Sequence, residues 1–252
     1  MKTALAEHIG QRIQRGERLY WVLLDPDDFT VSEGARVARE AQHCGVDGLL
    51  IGGSLMHSTC FDSFVENVKK CVTIPVLLFP GDATQLSRHA DGVLFLSLIS
   101  GRNPVNLIGE HVKAAPIIRE FGIEPISTGY MLVESGTVTS VEYMSNTRPL
   151  PRAKPSIAAA HALAAQYMGM SLVYLEAGSG AQQPVPDEMI ALVRSQIGIP
   201  LIVGGGIRDA QTARAKLVAG ADILVTGNLL QKSEGVAMMR EIAAQVKAFC
   251  AE

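Results

Sequence analysis

The chain is poor in charge and in aromatic rings: charged residues make up 19% of its 252 positions and aromatic ones 5%, with a single tryptophan. Its formal net charge of −3 leaves no strongly basic footprint, which argues against a general nucleic-acid binder. Cysteine is scarce as well. Cys44, Cys60, Cys71 and Cys250 show no CxxC spacing and no accompanying histidine pattern. They read as free, mostly buried thiols in a reducing compartment. His43, His57, His89, His111 and His161 are scattered without HExxH or other metal-ligand spacing, and read as ordinary histidines. No Ser/His/Asp signature favours hydrolase chemistry. The N-terminus lacks a cationic region followed by an apolar segment and a cleavage site. No apolar run approaches the roughly 18 residues of a membrane span. A cytoplasmic protein is expected.

What the chain does have is apolar material, 48% of residues with a mean hydropathy of +0.21. That value also points to faces covered in a homo-oligomer. The apolar residues come in short continuous runs, as in parallel strands buried on both faces. Leu19 to Leu24 ends at Asp25-Pro26-Asp27, Gly48-Leu49-Leu50-Ile51 at Gly52-Gly53-Ser54, and Pro75-Val76-Leu77-Leu78-Phe79 at Pro80-Gly81. Further strands are expected over Gly92 to Leu98 and residues 124–133, then at Leu172-Val173, Leu201-Ile202-Val203 and Ile223-Leu224-Val225. Eight strands in about 250 residues predict a single (βα)8 TIM barrel filling residues 1–252.

Between the strands, Leu5, Ile9 and Ile13 mark an amphipathic helix with Thr3 as N-cap and Gly16 as stop. Thr30-Val31-Ser32-Glu33 is a capping box. Residues 82–91 leave barely room for a helix, so an irregular short segment is expected in place of the third one. Residues 134–170 are long; the expectation is a hairpin-like extension of the fifth strand, a loop over the barrel mouth and a helix over 156–168.

The last three strands end in glycine clusters, within Tyr174-Leu175-Glu176-Ala177-Gly178-Ser179-Gly180, at Gly204-Gly205-Gly206, and at Gly227-Asn228. Amides freed of side-chain bulk can close on a phosphate, and a following helix N-terminus adds partial positive charge. One such turn is ordinary barrel architecture; three in succession favour a phosphorylated ligand at the C-terminal mouth. Asp209 reads as the cap of the next helix. Glu176, a carboxylate after buried Leu175, needs partners or water. It can act as a general base toward a substrate hydroxyl, with Tyr174 a hydrogen-bond donor or a packing ring. Asp25 and Ser54 end neighbouring strands. They can share Mg²⁺ with water and phosphate oxygens; alternatively, Asp25 caps a turn before Pro26 and Ser54 caps the next helix.

Together, Asp25, Gly52-Gly53-Ser54, the Tyr174-to-Gly180 run, Gly204-Gly205-Gly206-Ile207-Arg208 and Gly227-Asn228 resemble the geranylgeranylglyceryl phosphate synthase family over nearly the whole chain. The resemblance implies an enzyme that joins a polyprenyl diphosphate to sn-glycerol 1-phosphate through an ether bond, using Mg²⁺. Asp25 and Ser54 would hold the metal. Tyr174, Leu175, Glu176, Ala177, Gly178, Ser179, Gly180, Gly205, Gly206, Gly227 and Asn228 would bind glycerol phosphate, with Glu176 catalytic. Leu98, Ile99, Tyr130 and Met131 are candidates for an apolar groove; Arg148, Arg152 and Lys154 read as solvated loop charges, with assistance to the diphosphate the alternative. The long polar insertion favours a geranylgeranyl (C20) over a heptaprenyl (C35) donor. Left open are a sugar-phosphate isomerase or lyase, a phosphate-ligand sensor, dimer against hexamer, and contact of the mouth with a membrane.

Overall fold

The computed structural model describes residues 4–227 and 234–250. Thr3 and Asn228 lie outside them. The first half runs α1 (Ala4–Gln14), β1 (Leu19–Leu24), α2 (Val31–Cys44), β2 (Gly48–Ile51), α3 (Phe61–Cys71), β3 (Val76–Leu78), β4 (Gly92–Leu98), α4 (Glu110–Phe121) and β5 (Glu124–Leu132). It continues through α5 (Ser140–Ser145), α6 (Pro155–Tyr167), β6 (Leu172–Glu176), α7 (Asp187–Gln196), β7 (Leu201–Gly204), α8 (Ala210–Val218), β8 (Ile223–Thr226) and α9 (Gly235–Phe249). The eight strands pair in parallel in chain order, and β1 closes on β8, a TIM barrel as the apolar runs predict.

Strand alternation divides the core in two. Trp21, Leu50, Leu77, Leu94, Ile126, Leu172, Ile202 and Ile223 fill the barrel. Val22, Leu49, Val76, Val173, Leu175 and Val203 turn outward against the helices. The capping box forms: the Thr30 hydroxyl accepts from the Glu33 amide at 3.3 Å, and the Thr30 amide donates to Glu33 at 2.9 Å. Of the cysteines, all free, only Cys44 is buried; Cys60 and Cys250 are exposed.

The β3–β4 connection is irregular, as its length requires, yet tightly tied. The Ser87 hydroxyl donates to Asp62 at 2.6 Å, and the Ala83 amide donates to Glu110 at 2.8 Å. The Arg88 guanidinium stacks 4.8 Å from the Phe121 ring centre. β3 is so short that it shares only two paired positions with β4, Leu77 with Gly92 and Leu78 with Val93. Above them the barrel wall is split. Over the outer face of β4, α4 is preceded by a π-helical turn, Val105–Gly109.

No hairpin extends β5. Val133 pairs in parallel with Leu150, whose amide donates to the Leu132 carbonyl at 2.8 Å. The intervening chain forms α5, because Thr139 caps it through the Glu142 amide and Asn146 stops it in the left-handed region at φ 49°. A chain that returns over a helix re-enters parallel, not antiparallel. α6 then opens at Pro155, one residue before the expected start.

Candidate active site

Alternation along β6 aims Leu172, Tyr174 and Glu176 into the barrel, and Glu176 is the last residue of the strand. Its side chain is therefore at the C-terminal mouth, yet it is buried. The Gly178 amide donates to Oε1 at 2.6 Å, and Tyr174 Oη donates a further hydrogen bond to the carboxylate. Among the described residues no cation pairs with it. Burial raises its pKa, and the bonds from Tyr174, Gly178 and Ala177 only partly offset the effect. Beneath it, Tyr130, Tyr174 and Phe79 pack ring against ring at 5.3–5.8 Å. Burial, then the nearby Glu176 charge, raises the pKa of both phenols, so they remain neutral donors.

The β7 turn closes onto this carboxylate. Gly205 sits at φ +80°, and a β-carbon there would lie 2.4 Å from Glu176 Oε1 and 2.8 Å from the Gly178 amide nitrogen. Gly178, at φ +95°, packs on Thr139 just before α5, and Gly206 on Pro184. The β6 and β7 turns thus meet around Glu176 with no side chains between them. Gly205→Ala should cost about 1–2 kcal/mol for the left-handed backbone alone, with the collision in addition. Thermal melting checks the cost.

Among the described residues, the helices that follow β6 and β7 begin with acidic residues at or next to their N-caps. Asp209 caps α8, its carboxylate accepting from the Thr212 amide at 2.6 Å. α7 starts only at Asp187, with Asp187 and Glu188 in its first turn. Gly227 follows β8 at the mouth, backing on Leu23; Asn228 beyond it is not among the described residues.

Asp25 and Ser54 form the second part of the site. Asp25 Oδ1 accepts from the Asp27 amide at 3.0 Å, so it caps its turn. Gly53 lies against the same carboxylate: a β-carbon there would be 2.5 Å from Oδ2. Burial, with Asp28 and Asp27 adding negative charge, pushes the Asp25 pKa up to about 6. Among the described residues no cation pairs with it. Ser54 does not cap the following helix, since α3 begins after Cys60, and it lines the mouth. Among the described residues no cluster of three or more His, Cys, Asp and Glu side chains could cage a metal. One uncompensated carboxylate and one hydroxyl fit Mg²⁺, which keeps waters and takes phosphate oxygens from its substrate.

From Ser54 and Gly53 a cavity of about 280 Å³ passes through the split between β3 and β4 and down the inner side of α4. Leu98 and Tyr130 line its upper part; Phe95, His111, Ala114 and Ile118 line its depth. Ile99 and Met131 are not among its walls, and Met131 faces the helices instead because β5 alternation turns it outward. His111 stacks edge-on against Phe95 at 4.4 Å, its Nε2 is 3.1 Å from the Ser97 hydroxyl, and burial lowers its pKa. Arg152 ties loops together, donating to the Pro184 carbonyl at 2.8 Å and the Glu134 carbonyl at 3.1 Å, while Arg148 and Lys154 are exposed.

A buried carboxylate among glycine turns, a second carboxylate at the end of β1 and an apolar groove that opens at Gly53 and Ser54 are now in place. The sequence model of the PcrB family matches residues 11–246. The chain belongs to the PcrB family. Geranylgeranylglyceryl phosphate synthases of Thermococcus gammatolerans and Chitinophaga pinensis are 46% and 45% identical to it. These matches cover 93% and 94% of this chain, and 92% and 93% of theirs. The solved structure of (S)-3-O-geranylgeranylglyceryl phosphate synthase from Thermoplasma acidophilum, in complex with its substrate sn-glycerol-1-phosphate, superposes with a TM-score of 0.92 at 33% identity. It covers 98% of this chain and 100% of that one.

Sequence reasoning named both carboxylates and the glycine turns of this PcrB-family chain, but missed the depth of the groove. Phe95, His111 and Ala114 look like ordinary core positions of a strand and a helix. The only signal was the short connection at 82–91, which forecasts a missing helix and hence open space beside β4.

Proposed function

We propose that this prenyltransferase joins the geranylgeranyl group of its diphosphate to a hydroxyl of sn-glycerol 1-phosphate, with Mg²⁺ at Asp25 and Ser54. One observation carries the reading: an apolar groove opens at Gly53 and Ser54, where Gly53 packs on the Asp25 carboxylate at the end of β1. A sugar-phosphate isomerase, lyase or sensor has no use for such a groove.

The amides of the β6 and β7 turns, with Gly227 and Asn228, bind the phosphate of the acceptor. Its hydroxyl points to Glu176, whose raised pKa matches it to take a proton. The hydroxyl oxygen bonds to the allylic carbon as the bond from that carbon to the diphosphate oxygen breaks. The diphosphate leaves with the electron pair, and the proton passes to Glu176. Mg²⁺, when bound, neutralises charge developing on the diphosphate. Asp25 and Ser54 would hold the metal, Tyr174 fixes Glu176, and the groove orients the chain and keeps water from the allylic carbon.

The groove also bears on donor length. Its helical wall from Asn106 to Ile118 spans about 18 Å, on the scale of a C20 chain and well short of an extended C35 chain. With equal concentrations of geranylgeranyl and heptaprenyl diphosphate, mass spectrometry should find mainly the C20 ether. A mainly C35 product would transfer the reading to a heptaprenyl donor, and no ether from either would end it. Ala114→Trp should raise the KM for the C20 donor about tenfold, the effect of roughly 1.4 kcal/mol, and leave the KM for glycerol phosphate unchanged.

Val105, Ile108, Val112, Val138, Tyr143 and Met144 expose apolar side chains on the α4 and α5 side. We assign them to the contact between copies in a homo-oligomer. Sedimentation of a species heavier than one 26.9 kDa chain is the expected result.

A further inference from the structure

The loop after β2 carries Ser54 but has no strand or helix between Ile51 and Phe61. Left to itself, such a segment would place a hydroxyl poorly. Two side chains hold it instead. Gln85, from the irregular β3–β4 connection, is 1% exposed. Its Oε1 accepts from the amides of Gly53 at 3.3 Å and Gly81 at 3.2 Å, and its Nε2 donates to the Gly53 carbonyl at 3.0 Å. One buried amide thus takes both backbone groups of the residue that precedes Ser54. On the far side, Asp27 accepts from the amides of His57 at 2.8 Å and Ser58 at 2.7 Å, one on each carboxylate oxygen. Ser54 lies between these anchors, three residues before the second.

The anchors also bear on Asp25. The Asp27 amide donates to Asp25 at 3.0 Å, and Gly53, held by Gln85, lies against the other Asp25 oxygen. Gly81 seals the stack: a β-carbon there would be 2.5 Å from the Gly53 carbonyl oxygen and 3.2 Å from that of Ser54. The groove wall at 80–83 and the acidic mouth are therefore joined through one buried glutamine.

We propose that Gln85, seconded by Asp27, is a positioning residue that sets the Ser54 hydroxyl against Asp25 so that the pair can take a divalent cation. This rests on the Mg²⁺ reading above. Neither side chain is placed to touch the acceptor, whose cradle is built on β6 to β8. Loss of an outer partner of a metal site typically weakens binding about 10–100-fold. The buried glutamine, with its three hydrogen bonds, should give the larger effect, because the exposed Asp27 competes with water.

The test is Mn²⁺ binding to the purified chain, followed by electron paramagnetic resonance without substrates, alongside the KM of each substrate. Gln85→Met removes three hydrogen bonds at similar volume, and Asp27→Asn keeps one of two acceptors at an exposed site. Both should weaken Mn²⁺ binding, about tenfold or more for Gln85→Met. Both should also raise the KM of the donor and leave that of glycerol phosphate unchanged. Wild-type Mn²⁺ affinity in a folded Gln85→Met protein would overturn the proposal. Should that variant fail to fold, unchanged affinity in Asp27→Asn overturns it. A wild-type protein that binds no Mn²⁺ overturns the metal reading and this proposal together, whereas binding that is equal in wild type and variants overturns this proposal alone.

Discussion

Glu176→Gln should lower kcat by about 10²–10⁴-fold, the usual worth of a positioned general base, while glycerol phosphate still binds. Glutamine keeps the size of the side chain and an oxygen for the Gly178 amide, now 2.6 Å from Oε1. It removes the ability to accept a proton. The pH profile sharpens the test. Burial raises the Glu176 pKa above the ordinary carboxylate range, so the wild-type rate should fall as pH drops through that raised value. The variant should lack that limb. Stability moves the other way. A carboxylate whose folded pKa is raised costs stability as pH rises from its unfolded to its folded value, and the cost persists above both. The variant, free of it, should melt no lower than wild type at pH 8. A variant with wild-type turnover would remove Glu176 from the chemistry.

Asp25→Asn should separate the observed turn from the proposed cation site. The turn survives, because an asparagine oxygen can still accept from the Asp27 amide. The cation site does not, since the negative charge at the end of β1 is gone. The loss in apparent Mg²⁺ affinity should be at least the roughly 10–100-fold caused by deleting an outer partner. Steady-state rates titrated with Mg²⁺ check this: the variant should need far more metal to reach half its maximum, with the KM for glycerol phosphate little moved. If Asp25 serves only the turn, the variant keeps the wild-type metal dependence.

The barrel was legible because parallel strands buried on both faces must be continuous apolar runs, and each such run from Leu19 to Val225 lies in a strand. The short connection at 82–91 was legible by length alone. The 134–170 segment was misread for a local reason: Ser135, Gly136 and Thr137 look like a turn, whereas Thr139 and Asn146 set the structure by capping one short helix. At the mouth, Asp25 and Glu176 stood out because carboxylates directly after buried strands need explaining. Gln85 and His111 did not stand out. Their partners, Gly53 at 32 residues and Ser97 at 14, are brought close only by the barrel. Asp209 was legible as the cap of the helix after β7, and its carboxylate accepts from the Thr212 amide.

Transfer of label is the most direct measurement. The protein is given geranylgeranyl diphosphate and radiolabelled sn-glycerol 1-phosphate, with and without Mg²⁺, and the products are extracted into butanol. A parallel series uses the labelled 3-phosphate enantiomer. Label should enter the organic phase with the 1-phosphate and metal, and neither with the enantiomer nor without metal. Equal transfer to both enantiomers would contradict the assignment of the acceptor, and undiminished transfer without metal would contradict the role given to Asp25 and Ser54. No transfer under any condition would contradict the account as a whole.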